Sequence, residues 1–238
     1  MRQNHKSASG MRDIIAAPAA ELLGVLNDVE RKHAPEVLYY RGDLRLLQKS
    51  PRVAIVGSRV PSADGLRRAA KLGRALVSQG AVIVSGLAEG IDTAAHLAAI
   101  ESGGRTIAVL GTPLDKPYPA SNRDLFERIA ADNLVVSQFG SGASVQPRNF
   151  PIRNRTMALI AHATIIVEAG EKSGTLHQAW EALRLGRPLF LLDSITKRAD
   201  LHWPSEVRKY GAQVLSDTTF ADLVEQLPAG HYEEAVAF

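Results

Sequence analysis

The 238-residue chain contains no cysteine, which excludes disulfides, thiolate metal sites and cysteine nucleophiles. Its seven histidines form no HxxH or HxxxH pair, so their spacing gives no zinc signature. No apolar run approaches the roughly 20 residues needed to cross a bilayer, and Met1–Gly10 has no hydrophobic signal core. A soluble, cytoplasmic protein without membrane contact is expected. Gly-Lys followed by Ser or Thr occurs nowhere, which excludes a Walker loop and argues against ATP-driven chemistry. No internal repeat is visible. Neither sign of charge dominates: 28 Lys and Arg face 25 Asp and Glu, for a net charge of +3. A nucleic-acid site would therefore have to come from local clustering, not bulk charge.

What is present is a core and a rhythm. Hydrophobic residues make up 45% of the chain, an ordinary share for a globular protein of one large domain. Val53-Ala54-Ile55-Val56 reads as a strand buried on both faces, and a helical pattern follows over about Ser62–Gln79. The alternation continues with strands at Ala81–Ser85, Thr106–Leu110, Leu134–Ser137, Thr164–Val167 and Pro188–Leu192. Helices are expected between them, ending near Ser102, over Asn122–Ala131, Pro151–Ala161 and Ser173–Leu185. Val214-Leu215 and a Phe220–Leu227 helix finish the domain. Such alternation predicts a doubly wound, Rossmann-like α/β fold with a mostly parallel sheet of six or seven strands and helices on both faces. Residues 1–50 read as a short amino-terminal helical appendage, with a helix over Pro18–Val29, a short strand at Leu38–Asp43 and a boundary near Lys49-Ser50-Pro51. Residues 51–227 form the main domain and 228–238 a tail. Right-handed crossovers would put the turns after Gly57, Gly86, Gly111, Phe139 and Glu168 at one sheet edge, where ligands of such folds bind.

Three turns at that edge carry candidate chemistry. Gly57-Ser58-Arg59 offers backbone donors, a hydroxyl and a guanidinium that can grip a phosphate in two parallel bonds; the alternative is a tight turn with a solvated Arg. The turn lacks the further glycines of a dinucleotide site. Ser85–Asp92 carries Gly86 and Gly90, which would serve close approach to a ligand or close packing equally well. Asp92 and His96 lie one helical turn apart and can be drawn as a dyad, although a structural pair is the commoner case. Ser173 and Gly174 open a helix after Glu168, where an anion or a simple helix cap would both fit.

Asn133 to Val167 contains no acidic residue, where about three or four are expected at the chain-wide frequency. Arg148, Phe150, Arg153, Asn154 and Arg155 cluster there. Cations beside an exposed aromatic ring suit single-stranded nucleic acid. The alternative is that Phe150 staples the helix start while the arginines are solvated. Two residues span about 200° of a helix, so only one of Arg153 and Arg155 can face the ligand edge.

Five motifs in order resemble the Rossmann-like domain of the DNA-processing protein A (DprA, or Smf) family over about residues 35–225. They are Gly57-Ser58-Arg59, Ser85–Asp92 with Ala95-His96, Val109-Leu110-Gly111 through Tyr118-Pro119 and Asn122, Phe150-Pro151-x-Arg153-Asn154-Arg155, and Val167-Glu168-Ala169 with Ser173-Gly174. The resemblance implies single-stranded DNA binding, protection of incoming strands in natural transformation, loading of a RecA-type recombinase and a homodimer; no cofactor is expected. Carried over by motif, Arg59 and the Gly57-Ser58 backbone would hold a phosphate and Phe150 would contact a base, with Gly86, Arg148, Arg153, Asn154, Ser173 and Gly174 completing the site. The family usually has Lys three residues before the Phe; here Pro147 stands there, with Arg148 beside it. Ala199-Asp200-Leu201-His202-Trp203-Pro204 also departs from the usual Gly-Ala-Asn followed by Leu-Ile. The family's amino-terminal helical domain is expected to be reduced to about fifty residues, and its frequent carboxy-terminal winged helix to be absent. A competing resemblance is to the Lonely-guy-like nucleotide hydrolases, whose Pro-Gly-Gly-x-Gly-Thr-x-x-Glu signature is similar to Ala169–Gln178. Its glutamate falls on Gln178, which cannot act as a general base, so a non-enzymatic protein is expected, with a nucleotide-binding or nucleotide-hydrolysing protein of that superfamily as the alternative.

Overall fold

The computed structural model describes residues 14–48 and 51–228. The polar start at Met1–Gly10, the Lys49-Ser50 boundary and the tail beyond residue 228 lie outside the described residues.

The strands are β1 (Ile15–Pro18), β2 (Val37–Gly42), β3 (Arg52–Gly57), β4 (Val82–Ser85), β5 (Thr106–Leu110), β6 (Leu134–Ser137), β7 (Ala163–Glu168), β8 (Leu189–Leu192) and β9 (Gln213–Leu215). The helices are α1 (Ala19–Leu23), α2 (Asp28–His33), α3 (Ala63–Ser78), α4 (Ile91–Glu101), α5 (Arg123–Asp132), α6 (Asn149–Ile160), α7 (Thr175–Arg184), α8 (Asp193–Thr196), α9 (Trp203–Lys209) and α10 (Phe220–Glu225). All nine strands form one sheet in the order β1-β2-β6-β5-β4-β3-β7-β8-β9. The run from β6 to β9 is parallel throughout, while β2 pairs antiparallel with β6 and β1 antiparallel with β2.

The doubly wound α/β class expected from sequence is the fold observed, but with nine strands in place of six or seven. The two added strands are β1, too short to stand out in the sequence, and β2, the strand expected at Leu38–Asp43, which pairs into the main sheet instead of standing in a separate appendage. The single helix expected over Pro18–Val29 is two. Pro18 belongs to β1, and Asn27 opens a second helix through a capping box: its side chain accepts from the Val29 and Glu30 N–H groups (2.9 Å each), and Glu30 accepts in turn from the Asn27 N–H. A capping box satisfies two otherwise orphaned donors and so fixes a helix start where periodicity alone runs on.

Successive residues of β3 face opposite sides. Val53 and Ile55 pack with Leu72 and Leu76 of α3, Ile91 and Ala95 of α4 and Leu223 of α10. Ala54 and Val56 pack with Met157 and Ile160 of α6 and Ala179 of α7. A strand apolar on both faces can only sit inside such a sandwich, where each fully buried Val or Ile contributes about 1.5–3 kcal/mol. The connection out of β3 leads through α3 to β4 on one side of it, and the connection out of β7 leads through α7 to β8 on the other. β3 and β7 are neighbours whose connections depart in opposite directions, which opens a crevice beyond their carboxyl ends.

Candidate functional site

A cavity of about 590 Å³ occupies that crevice, lined by the turns after β3 and β7 and by the first residues of α6 and α7. The ends of β3 and β7 are locked together: Gly57 pairs with Glu168, and the Ser58 N–H donates to the Glu168 carbonyl at 2.7 Å. The expectation that the Gly57-Ser58 backbone holds a phosphate is corrected on this point, because the Ser58 N–H continues the parallel ladder and is not free. Gly57 has no side chain for a packing reason. A Cβ there would lie 2.6 Å from Ile91 Cγ1 and 2.8 Å from the Glu168 carbonyl oxygen. The Glu168 carboxylate turns outward to the start of α3, accepting from the Ser62 N–H (2.8 Å) and hydroxyl (2.6 Å). A carboxylate at a helix N-terminus is favoured by the helix dipole.

Arg59 is exposed, and its guanidinium carbon lies 5.4 Å from the centroid of the Phe150 ring. Tyr118, 49% exposed, meets the same ring at 5.7 Å and 57°. Phe150 is half-buried, the second residue of α6, with Pro151 after it. A cation and two aromatic rings thus sit together, Arg59 and Phe150 lining this cavity and Tyr118 the smaller one beside it. The sequence puts Tyr118 in a family motif but does not place it against Phe150, since its proline-rich loop has no periodicity to orient it. Lys172 lines the same cavity. Among the described residues no ion pair involves Arg59, Arg148 or Lys172, so their charge is uncompensated. Arg148 stands exposed on the turn before α6 and lines neither this cavity nor the smaller one beside it.

Arg153 and Arg155 diverge as helical geometry requires. Arg155 pairs with Glu181 of α7 through two contacts of 3.0 and 3.2 Å. Arg153 is 5% exposed and points under the sheet edge. Its Nη1 donates to the Gly86 and Val109 carbonyls (2.5 and 2.6 Å) and its Nε to Asn154 Oδ1 (3.1 Å). The guanidinium therefore joins the ends of β4 and β5 to α6, and Arg153, expected among the nucleic-acid-binding residues, stands as a buried strut in the cavity wall. Gly86 follows from it: a Cβ would stand 2.2 Å from Arg153 Nη1, so the glycine makes room for Arg153. Asn154 reaches the other way, its amide donating to the Gly174 carbonyl at 3.4 Å. Ser173 accepts from the Thr175 N–H (3.2 Å), and the Thr175 hydroxyl donates to the Gly57 carbonyl (3.1 Å). Ser173 and Gly174 thus lie at the cavity against β3, with the Ser173 hydroxyl also serving the start of α7.

Asp92 and His96 are both buried, and the structure gives them different partners. Asp92 Oδ2 accepts from the Gly86 N–H (3.0 Å) and, more weakly, the Ala88 N–H (3.4 Å). Burial pushes its carboxyl above the ordinary range and pushes Arg153 below its own, while their opposite charges counter both shifts. His96 Nδ1 bonds the Thr106 hydroxyl at 2.7 Å. Because that hydroxyl donates to the Ile83 carbonyl (2.8 Å), Nδ1 carries the proton and donates to it. Burial lowers the imidazole pKa to about 3 from 6.5. The unfolded chain then binds an extra proton between those values, so this contribution is complete above pH 6.5 and is lost as pH falls towards 3. From His96 alone the expected loss between pH 7.5 and 5 is about 2 kcal/mol; His162, lowered to about 3 by burial and by Arg52 and Arg187, adds to the fall read in the urea midpoint. His96→Gln should show a smaller fall; an equal one would place the acid sensitivity elsewhere.

Gln178 of α7 forms part of the cavity floor and is 1% exposed. Its Nε2 donates to the Thr164 hydroxyl at 3.4 Å, and its Oε1 is buried without a hydrogen-bond partner, at a cost of about 1–3 kcal/mol. Among the described residues no helix is long and apolar enough to cross a membrane.

Comparison with known proteins gives this architecture a family. DNA processing protein DprA of Streptococcus pneumoniae is 46% identical over 159 residues, covering 67% of this chain and 56% of that protein. The X-ray structure of DprA from the same organism superposes with a TM-score of 0.77 at 33% identity, over 92% of this chain and 76% of that one. The structure of DNA processing protein A from Helicobacter pylori, described for its single-stranded DNA binding mode, gives a TM-score of 0.75 at 29% identity, over 86% of this chain and 95% of that one. The chain spans about half the length of the curated relatives it matches. Residues 21–228 match the model of the DNA recombination-mediator protein A family, and the chain belongs to that family.

Proposed function

We propose that the chain is a single-stranded DNA-binding protein of DNA processing and recombination, and that the cavity at the β3–β7 crevice is its DNA site. The observation that carries this is a cluster at the cavity: exposed Arg59 lies against Phe150, and Phe150 against Tyr118, with the unpaired Lys172 lining the same cavity. Cation and aromatic faces in alternation bind a flexible strand through phosphate and unstacked base together, which a duplex with its bases paired cannot offer. The Helicobacter pylori relative, described for single-stranded DNA binding, supports the same reading. Arg59 contacts phosphate and Phe150 stacks a base. Gly57, Ser58, Ser173 and Gly174 line the same space, while Gly86, Arg153 and Asn154 hold its wall. Arg148 extends the positive surface.

Fluorescence anisotropy should show oligo-dT bound far more tightly than duplex of equal length, with affinity falling as salt rises through release of counterions. Equal affinity for both, or none, would overturn the reading. Phe150→Ala should cost about 1–3 kcal/mol of binding if the ring stacks a base; wild-type affinity would place the stacking elsewhere.

The protein acts by binding and not by hydrolysis. Gln178 stands where the nucleotide hydrolases carry glutamate, and an amide neither abstracts a proton nor carries a charge to stabilise a developing cation. Incubation with AMP should release no adenine. Family membership supports three further parts of the proposal: a homodimer, a cytoplasmic setting in natural transformation, and delivery of the strand to a RecA-type recombinase. Light scattering of the purified chain tests the first, and RecA filament assembly on coated DNA tests the last.

A further inference from the structure

α3 and α4 cover the face of the sheet opposite α6 and α7, and the sequence of α4 does not suit a helix with a solvent side. Between buried Asp92 and exposed Glu101 it contains no Lys, Arg, Asp or Glu. A surface helix is ordinarily polar on its outer side, whereas one that is apolar all round is covered. Inward, Ile91, Ala95 and Ala99 join the core beneath. Sideways, Gly73 lets α3 come so near that a Cβ there would stand 3.2 Å from the Ala98 Cβ. Outward there is no cover. Thr93, Ala94 and Leu97 form an open apolar groove of about 540 Å³ with Pro61, Leu66 and Ala70.

The charges that line this groove say what covers it. Arg67 stands near the start of α3 and Glu101 is the last residue of α4. The two helices follow neighbouring parallel strands and so run in one direction, which puts Arg67 and Glu101 at diagonal corners of the groove. Arg67 is paired only within its own helix, to Asp64, and among the described residues Glu101 has no ion pair. An apolar strip with opposite charges at its diagonal corners is complementary to itself. A two-fold axis in the plane of the groove, crossing the line between the corners at its midpoint, exchanges them. We infer that the groove seats the same groove of a second copy of this chain, with Arg67 of each copy against Glu101 of the other. Burial of the strip drives the association and the two charge pairs set its register. This rests on the homodimer reading and gives it a face; it is independent of the DNA site.

The test is sedimentation velocity of the full chain over a concentration series, for the wild type, Arg67→Glu, Glu101→Arg and an equimolar mixture of the two variants. Each variant alone sets like charges against each other at both corners, so its self-association should be about 10–100-fold weaker than that of the wild type. In the mixture every corner again joins opposite charges, and association between the two variants should return to near the wild-type strength. Only folded variants can restore it, so misfolding cannot imitate that result. Should a charge reversal fail to fold, Glu101→Gln, isosteric and at an exposed position, should still weaken association about 2–10-fold. A wild-type dimer that none of these variants weakens overturns the interface and moves the homodimer to another face. A mixture of folded variants that associates no better than either alone overturns it as well. A wild type that stays monomeric throughout overturns the homodimer reading together with the interface.

Discussion

Arg153→Ala is expected to destabilise the fold by about 3–5 kcal/mol, the range for removing one partner of a buried charged pair. The guanidinium donates to the Gly86 and Val109 carbonyls and to Asn154. It also offers the nearby positive charge that opposes neutralisation of buried Asp92. Truncation removes the donor of two carbonyls, leaves the Asp92 carboxylate with only its backbone N–H partners, and empties a space from which Gly86 has been cleared of any side chain. Arg153→Lys should recover little, because an ammonium is a point charge and cannot reproduce the fork that spans β4, β5 and α6. Urea unfolding at pH 7 measures this. A midpoint unchanged in the alanine variant would show that the buried contacts are dispensable and that Arg153 is retained for the ligand alone.

Arg59→Ala should do the opposite. The side chain is exposed and unpaired, so the urea midpoint should shift by less than about 0.5 kcal/mol equivalent. Affinity for oligo-dT should fall about 10–150-fold, the loss of a charge-assisted hydrogen bond worth about 1.5–3 kcal/mol. The slope of affinity against salt should fall by about one phosphate contact. Retained affinity would move the phosphate anchor to Lys172 or Arg148. Measured together, the two arginines separate what the cavity needs to exist from what it needs to bind.

That separation marks the limit of what the sequence discloses. The strands β3 to β8 are legible because runs such as Val53–Val56 and Thr164–Val167 have one physical solution, burial on both faces between helix layers. The positions of Gly57, Arg59, Phe150, Ser173 and Gly174 at one edge follow from the same alternation. What the linear chain cannot disclose is the inward or outward sense of a side chain at that edge. Helical spacing shows that Arg153 and Arg155 diverge, but only the seating of α6 over β4 and β5 makes Arg153 the buried one. Gly86 looks equally suited to a ligand or to packing until the Arg153 guanidinium is seen 2.2 Å from its missing Cβ. Tyr118 lies in a loop without period, and the orphaned Oε1 of Gln178 becomes visible only once the cavity has a floor. β1 is four residues ending in proline, and nothing in Ile15–Pro18 announces a strand until β2 is there to pair with it.

That short first strand bears on solubility. A parallel sheet whose strands are apolar on both faces is hazardous at an open margin, where unpaired backbone groups recruit strands from other molecules. β2 covers β6 along four residue pairs, and β1 closes the margin with a strand too brief to be extended far, stopped by Pro18, which has no N–H to offer. Residues 15–42 thus end this margin of the sheet in a four-residue strand, which offers little backbone for a strand of another molecule to pair with.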